Sequence, residues 1–336
     1  MKLTFEQMKA CLKGAVTIRE NADGTVLVRR MTDDQIAPYA IHDPSRHYAC
    51  NNACSIQLDF YTDATTLTVT SVGRRKKKRP DITMDVLENG VLKQSVSCRE
   101  HYENSPEPVH VPQRVFHFAL SAGEKRVTLY LPRTYTVDGM SVELSDGATF
   151  RPYTHAKTMI AFGDSVTFGT NAAHPSCSWV NRLGRMLDAQ VYNYGIGGER
   201  FQEWKITGEY PKCDFITVSY GSNDFGHKIS SDEQFSYKMP AFLKTISERF
   251  SDIPIFVMLP MWRGDEEVLY TDIGVLQVVR DRVAAECTKY PNLHVVDGQG
   301  FVPHDRMLFA DNLLHPNDEG MEYYANVVYE AIKDKV

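Results

Sequence analysis

Along the first 150 residues apolar and polar positions alternate with a period of two. Ser55-Ile-Gln-Leu-Asp-Phe-Tyr61, Thr66-Leu-Thr-Val-Thr70, Val115-Phe-His-Phe-Ala-Leu120, Arg126-Val-Thr-Leu-Tyr-Leu131 and Ser141-Val-Glu-Leu144 each send every second side chain to one face, as half-buried strands do. Asp81 to Val96 predicts a hairpin that turns back at Asn89-Gly90, residues that tolerate the positive φ of a tight turn. Turn signals recur every 8–12 residues or so, roughly the spacing of sandwich folds. A short N-terminal segment around Phe5–Lys13 is the one stretch with a useful helical period. The pattern predicts an all-β, jelly-roll-like sandwich over residues 1–150.

The rhythm changes near Asp146-Gly147. Lys157 to Phe162 is an apolar run ending in Gly163-Asp164-Ser165, and Trp179, Leu183, Met186 and Leu187 then recur at helical steps. Val191-Tyr-Asn193, Phe215-Ile-Thr-Val-Ser219, Pro254-Ile-Phe-Val-Met-Leu259 and Leu293-His-Val-Val296 read as further strands. Helices are predicted through Phe235, Met239, Phe242, Ile246 and Phe250, from around Val268 to Lys289, and from around Asp318 to Lys333. Such alternation predicts an α/β domain over residues 151–336, a parallel sheet covered on both faces. Active sites in such sheets lie at the carboxyl ends of the strands.

Composition narrows the class. The 336 residues are 43% hydrophobic and 24% charged, values that exclude disordered and collagen-like chains. No apolar run reaches the ~20 residues that span a bilayer, so no membrane partner is expected. Met1–Glu20 lacks the continuous apolar core of a secretion signal, which points to a cytoplasmic protein. Seven scattered cysteines, an odd number, suit free thiols in a reducing compartment. Cys50 and Cys54 have no second pair with which to bind zinc.

Charge divides unevenly. Residues 1–150 hold 19 Lys and Arg against 18 Asp and Glu, a net of +1, which leaves −7 for residues 151–336. An acidic half is a poor nucleic-acid surface. The run Arg74-Arg75-Lys76-Lys77-Lys78-Arg79 reads as a solvated loop or a blunted strand edge, with an anionic partner as the sharper reading.

The strand ends carry the candidate chemistry. Ser165 follows the first strand of the α/β half, where a hydroxyl can project over the sheet and its N–H can sit at a helix start. The alternative is an N-cap serine. Asn193-Tyr-Gly-Ile-Gly-Gly198 follows the second strand and lets backbone N–H groups approach a ligand closely. Gly221-Ser-Asn223-Asp224 follows the third, where the Asn223 amide could donate to an oxyanion or build a turn. Asp311-Asn-Leu-Leu-His315-Pro316 lies in the loop before the last helix and supplies an imidazole with a carboxylate nearby.

Taken together, Gly163-Asp-Ser165, Gly198, Gly221-x-Asn223-Asp224 and His315-Pro316 resemble the four ordered blocks of the SGNH (GDSL-like) hydrolases. The resemblance covers about Thr158 to Lys333 and implies a flavodoxin-like three-layer fold and a serine esterase. It implies Ser165 as nucleophile, His315 as base, and the N–H groups of Ser165 and Gly198 with the Asn223 amide as oxyanion hole. It needs no metal and no cofactor. The family's orienting carboxylate stands three residues before the histidine, where this chain has Asn312; Asp311 stands four before and is the favoured candidate if the loop carries one extra residue, the alternative being a Ser-His dyad helped by a backbone carbonyl.

A β-sandwich ahead of such a domain resembles the two-domain family 2 carbohydrate esterases, which implies short-chain O-deacetylation of an acetylated sugar or oligosaccharide. Asp164 and Trp262 are the candidate substrate contacts; Trp262 is placed to stack on a sugar ring or to pack under a loop. A thioesterase or lysophospholipase of the same fold, and a non-catalytic carbohydrate-binding protein, are the competing readings. Oligomeric state is left open.

Overall fold

The computed structural model describes residues 1–75, 81–99, 109–226 and 230–336, so most of the basic run, from Lys76 onward, lies outside the described residues. Two antiparallel sheets form the N-terminal part. One runs Leu12–Lys13, Gln57–Thr62, Lys125–Tyr130, Asp81–Glu88, Val91–Arg99, with Arg151–Pro152 joined to Gln57–Thr62. The other runs Thr17–Glu20, Val26–Arg29, Tyr135–Leu144, Thr66–Arg75, Val109–Ala119. Their alternate residues, among them Leu58, Phe60, Val69, Phe116, Leu129 and Val142, bury one shared core. The hairpin turn is at Asn89-Gly90, with φ of +49° and +83°.

The period-two pattern left one segment unread. Asp33–His42 and Pro44–His47 are helices, followed by a 3₁₀ turn at Tyr48–Asn51. The first begins with a capping box, in which the Thr32 hydroxyl accepts from Gln35 N–H and the Gln35 side chain accepts from Thr32 N–H. Its apolar stripe is short, since only Ile36 and Tyr39 face inward and Pro38 interrupts it. These residues, with Met31 and Cys50, join Phe162, Tyr194 and Phe201 in the core beside the parallel sheet. A segment of the N-terminal half therefore lies against the candidate chemistry.

That parallel sheet has the order Ala189–Asn193, Lys157–Gly163, Phe215–Ser219, Ile255–Met258, Leu293–Val296. Alternation within each strand divides the side chains between two layers. Met159 and Ala161 meet Trp179, Leu183 and Tyr324 of the helices Trp179–Met186 and Asp318–Ile332. Ile160 and Phe162 share the opposite core with Phe242, Ile246 and Val283 of the helices Asp232–Arg249 and Leu276–Cys287. The last of these helices starts eight residues later than the sequence pattern suggests. Gly274, at φ +108°, breaks the chain just before it.

Candidate active site

The strand Lys157–Gly163 delivers Ser165 to the sheet edge. Gly163 must be glycine, because a Cβ there would stand 2.1 Å from Thr167 Oγ1 and 2.9 Å from the Ser219 carbonyl oxygen. The turn is locked from inside: Asp164 Oδ1 accepts from Val166 N–H at 2.9 Å, and the Ser165 carbonyl accepts from Thr170 N–H at 2.8 Å. The sequence reading put a helix start at Ser165; the structure has turns through residue 171, and the helix begins at Trp179. A helix dipole is therefore not what would favour an anion here. Individual N–H groups must do it.

His315 comes from a loop pinned at its base by a bridge between Phe309 and Pro316 and by Ala310 N–H donating to the His315 carbonyl at 2.8 Å. Inside the loop, Asp311 Oδ1 accepts from the N–H groups of Leu313, Leu314 and His315 at 3.0, 2.8 and 3.0 Å. Asn312 takes the left-handed conformation, φ +56°, which asparagine tolerates better than most residues. The chain thereby accommodates one more residue than the family spacing and still turns Asp311 Oδ2 to within 2.5 Å of His315 Nδ1. On the far side of the ring, Nε2 lies 2.8 Å from Ser165 Oγ. A carboxylate at Nδ1 holds that proton in place and leaves Nε2 to accept from the hydroxyl. Burial acts to raise the Asp311 carboxyl, but the Leu314 and His315 N–H groups and the imidazole outweigh it and hold it below the ordinary carboxylate range.

Gly198 and Asn223 stand at the two neighbouring strand ends. Gly198 has φ +78°, and an ideal Cβ built on Gly197 would lie 3.9 Å from Ser165 Cβ. Asn223 Nδ2 donates to Asp164 Oδ2 at 3.2 Å and to the Glu199 carbonyl at 2.9 Å, which ties the third strand end to the first and second. The structure thus brings Ser165, His315 and Asp311 into one relay, with Gly198, Asp164 and Asn223 beside it.

Trp262 is arranged differently. Its ring stacks on His304, with centroids 4.9 Å apart, and meets the edge of Phe309 at 5.4 Å. Next to it, Gly264 N–H donates to the Leu313 carbonyl at 3.0 Å. The indole therefore buttresses the loop that carries His315.

Behind the glycine loop lies a buried charged group that sequence reading missed. Glu199 pairs with Lys205 and receives a hydrogen bond from the Tyr39 hydroxyl at 3.4 Å. Burial pushes the carboxyls of Asp164 and Asp224 up to about 7, against the pull of Arg263 on the first and of Arg200 and Lys205 on the second. Asp224 Oδ2 has no hydrogen-bond partner among the described residues. Between about pH 4 and pH 7 the folded chain holds protons that the unfolded chain has released, so stability falls as pH rises through that window. The melting temperature is expected to drop from pH 5 to pH 8, and Asp224→Asn to flatten that slope in differential scanning calorimetry. An equally steep slope in the variant would contradict this account.

Two cavities flank the loop Gly197-Gly198. One of about 360 Å³ is lined by Asn52, Thr134, Phe168, Thr170 and Gly197, and thus by both halves of the chain. One of about 400 Å³ is lined by His42, Gly198, Arg200, Trp204 and Tyr237. Arg46 borders both. Among the described residues no cluster of His, Cys, Asp and Glu could hold a metal ion, and no helix is long and apolar enough to cross a membrane.

Residues 161–323 match the model of the GDSL-like Lipase/Acylhydrolase family. This part of the chain is a GDSL-like lipase/acylhydrolase domain. The acylhydrolase domain and the sandwich before it together resemble several solved structures. A salicylyl-acyltransferase from a tetracycline biosynthetic pathway is 22% identical, with a TM-score of 0.78 over 96% of this chain and 94% of that one. A family 2 carbohydrate esterase from Cellvibrio japonicus is 13% identical, with a TM-score of 0.63 over 99% of this chain and 97% of that one. Another from Clostridium thermocellum, solved with cellohexaose, is 15% identical, with a TM-score of 0.60 over 83% and 92%. At these identities the likeness is one of fold, the SGNH hydrolase fold. No curated protein sequence matches the chain.

The Ser-His pair, the glycine loop and the G-x-N-D block were visible in the sequence because each is a short run at a strand end. Glu199, Lys205 and Arg46 carried no such signal, because what gives them meaning, Tyr39 beside Glu199 and the Gly197 and Gly198 carbonyls beside Arg46, lies in distant segments.

Proposed function

We propose that the protein is a serine esterase that removes short acyl groups, acetyl above all, from a carbohydrate. The observation that carries this reading is the relay Ser165 Oγ to His315 Nε2 at 2.8 Å and His315 Nδ1 to Asp311 Oδ2 at 2.5 Å. In the proposed reaction Ser165 Oγ attacks the ester carbonyl as its proton passes to His315 Nε2. Asp311 keeps the imidazole in the required tautomer and stabilises the imidazolium. The oxyanion accepts from Ser165 N–H, Gly198 N–H and the Asn223 amide, which gives up its 3.2 Å bond to Asp164 Oδ2 to do so; one well-placed donor contributes about 3–4 kcal/mol. The alcohol leaves with the proton from His315. Water, deprotonated by the same imidazole, then releases the acid and restores Ser165.

The carbohydrate part of the proposal is supported by the esterase neighbours, one of which holds cellohexaose. The polar cavity beside Gly198 supports it too, since Arg200 and the exposed Tyr237 line it together with Trp204, whose ring is stacked on His42.

A second reading has its own observation. The salicylyl-acyltransferase likeness extends over 96% of this chain, and an acyl-enzyme on Ser165 can equally be resolved by an alcohol acceptor in place of water. The test is turnover of 4-nitrophenyl acetate, butyrate and octanoate, with and without an added alcohol. Fast acetate turnover that falls with chain length supports the short-acyl esterase. Ester products in place of free acid would favour the transferase, and octanoate as the best substrate would favour a lipid ester. Wild-type rates no higher than those of Ser165→Ala would remove the enzyme reading altogether.

A further inference from the structure

We propose that Arg46, on the short helix Pro44–His47 of the N-terminal half, is a positioning residue that aims the Gly198 N–H at the reacting carbonyl by holding the Gly197 carbonyl. The inference rests on the acyl-transfer reading above and deepens it.

Arg46 Nε donates to the Gly197 carbonyl at 2.9 Å, and Nη2 donates to the Gly198 carbonyl at 2.8 Å. The Gly197 carbonyl and the Gly198 N–H belong to one planar trans peptide, so fixing the oxygen fixes the direction in which the N–H points. A cation on the oxygen also polarises that peptide and strengthens its N–H as a donor. Glycine alone would leave this peptide loose. Gly198 is at φ +78°, and any Cβ on it would come within 2.6 Å of Arg46 Nη2.

The guanidinium is itself held. Asp43 pairs with Arg46, and Ser45 Oγ donates to Asp43 Oδ1 at 2.6 Å. The loop is fastened upstream in the same manner. Arg30, almost fully buried, donates from Nη1 to the carbonyls of Asn193 and Gly195 at 2.7 and 2.8 Å. Two arginines from the N-terminal half thus hold the carbonyls of residues 193, 195, 197 and 198 along one loop. That is more than docking of two halves requires, and it falls on the peptide whose N–H the reaction needs.

Arg46 suits the test because its side chain is 22% exposed, so water can fill its place, while Arg30 keeps the loop's first turn. The experiment measures kcat and KM for 4-nitrophenyl acetate with wild type, Arg46→Ala, Arg46→Lys and Ser165→Ala, with melting temperatures alongside. Arg46→Ala is expected to lower kcat about 10–100-fold, part of the loss seen when an oxyanion donor is deleted, with KM within about twofold. Arg46→Lys is expected to recover part of the loss, and added guanidinium ion to accelerate Arg46→Ala but not wild type. A kcat for Arg46→Ala within threefold of wild type overturns the proposal. So does a loss that tracks a lowered melting temperature and ignores guanidinium, which would mark Arg46 as a structural tie. Wild type no faster than Ser165→Ala overturns it together with the esterase reading, whereas active wild type with equally active Arg46→Ala overturns the clamp alone.

Discussion

Ser165→Ala is expected to lower kcat by roughly 10⁵–10⁶-fold on any ester the protein hydrolyses, because no acyl-enzyme can form without the hydroxyl. His315→Ala should be nearly as severe. The serine proton then has nowhere to go, since Nε2 is the ring atom 2.8 Å from Oγ. The double variant should be little worse than either single one, as groups that act as a unit lose their effect together. The fold should survive both changes. The Ser165 turn is held by backbone groups and Asp164, and the His315 loop by the Phe309–Pro316 bridge and three N–H bonds to Asp311. Steady-state kinetics with melting curves check this. A His315→Ala enzyme that kept a tenth of wild-type kcat would remove histidine from the base role.

Asp311→Asn is expected to reduce kcat about 10³–10⁴-fold with little change in fold, by analogy with the orienting carboxylate of other serine-histidine relays. The asparagine oxygen can still accept the backbone N–H groups now bound by Oδ1, so the loop keeps its shape. Its amide then faces His315 Nδ1 as a donor, which puts the ring proton on Nε2 and spoils that nitrogen as a base. Asn312 gives the opposite result. At φ +56° its requirement is conformational, so Asn312→Gly should hold kcat within about twofold, and Asn312→Val should destabilise by about 1–2 kcal/mol. The double exchange Asp311→Asn, Asn312→Asp should stay inactive, because the carboxylate then sits at the left-handed residue and not at the one facing Nδ1. Recovery of activity in that double variant would move the orienting role to position 312. The Asp311 carboxyl lies below its ordinary range, so the stabilising contribution is complete at neutral pH. It is lost only as pH falls through that lowered value.

Much of this was legible because it is local. Period-two alternation marks strands such as Thr66–Arg75 without reference to anything else in the chain. The three- and four-residue steps of Phe235, Met239, Phe242 and Ile246 mark the helix Asp232–Arg249 in the same way. The parallel sheet followed from their order, and with it the placing of Ser165, Gly198, Asn223 and His315 at strand ends. Local pattern failed where a few residues had to decide. Thr32–His42 has only two inward apolar side chains and a proline, too little for a period, and forms its helix because Ile36 and Tyr39 find the core beside the parallel sheet.

By itself, then, the sequence determined the two kinds of layer, the order of the strand-end motifs and the chemical types brought to the sheet edge, since burial of alternating side chains and the stiffness of short motifs act over a few residues. The tertiary structure alone decided that Asp311 meets Nδ1 through a left-handed Asn312. It also decided that Trp262 stacks on His304 and meets Phe309, and that Arg30 and Arg46 reach carbonyls more than 150 residues away. Those contacts depend on which surfaces the packed layers press together, a property of the whole chain that no local run of residues contains.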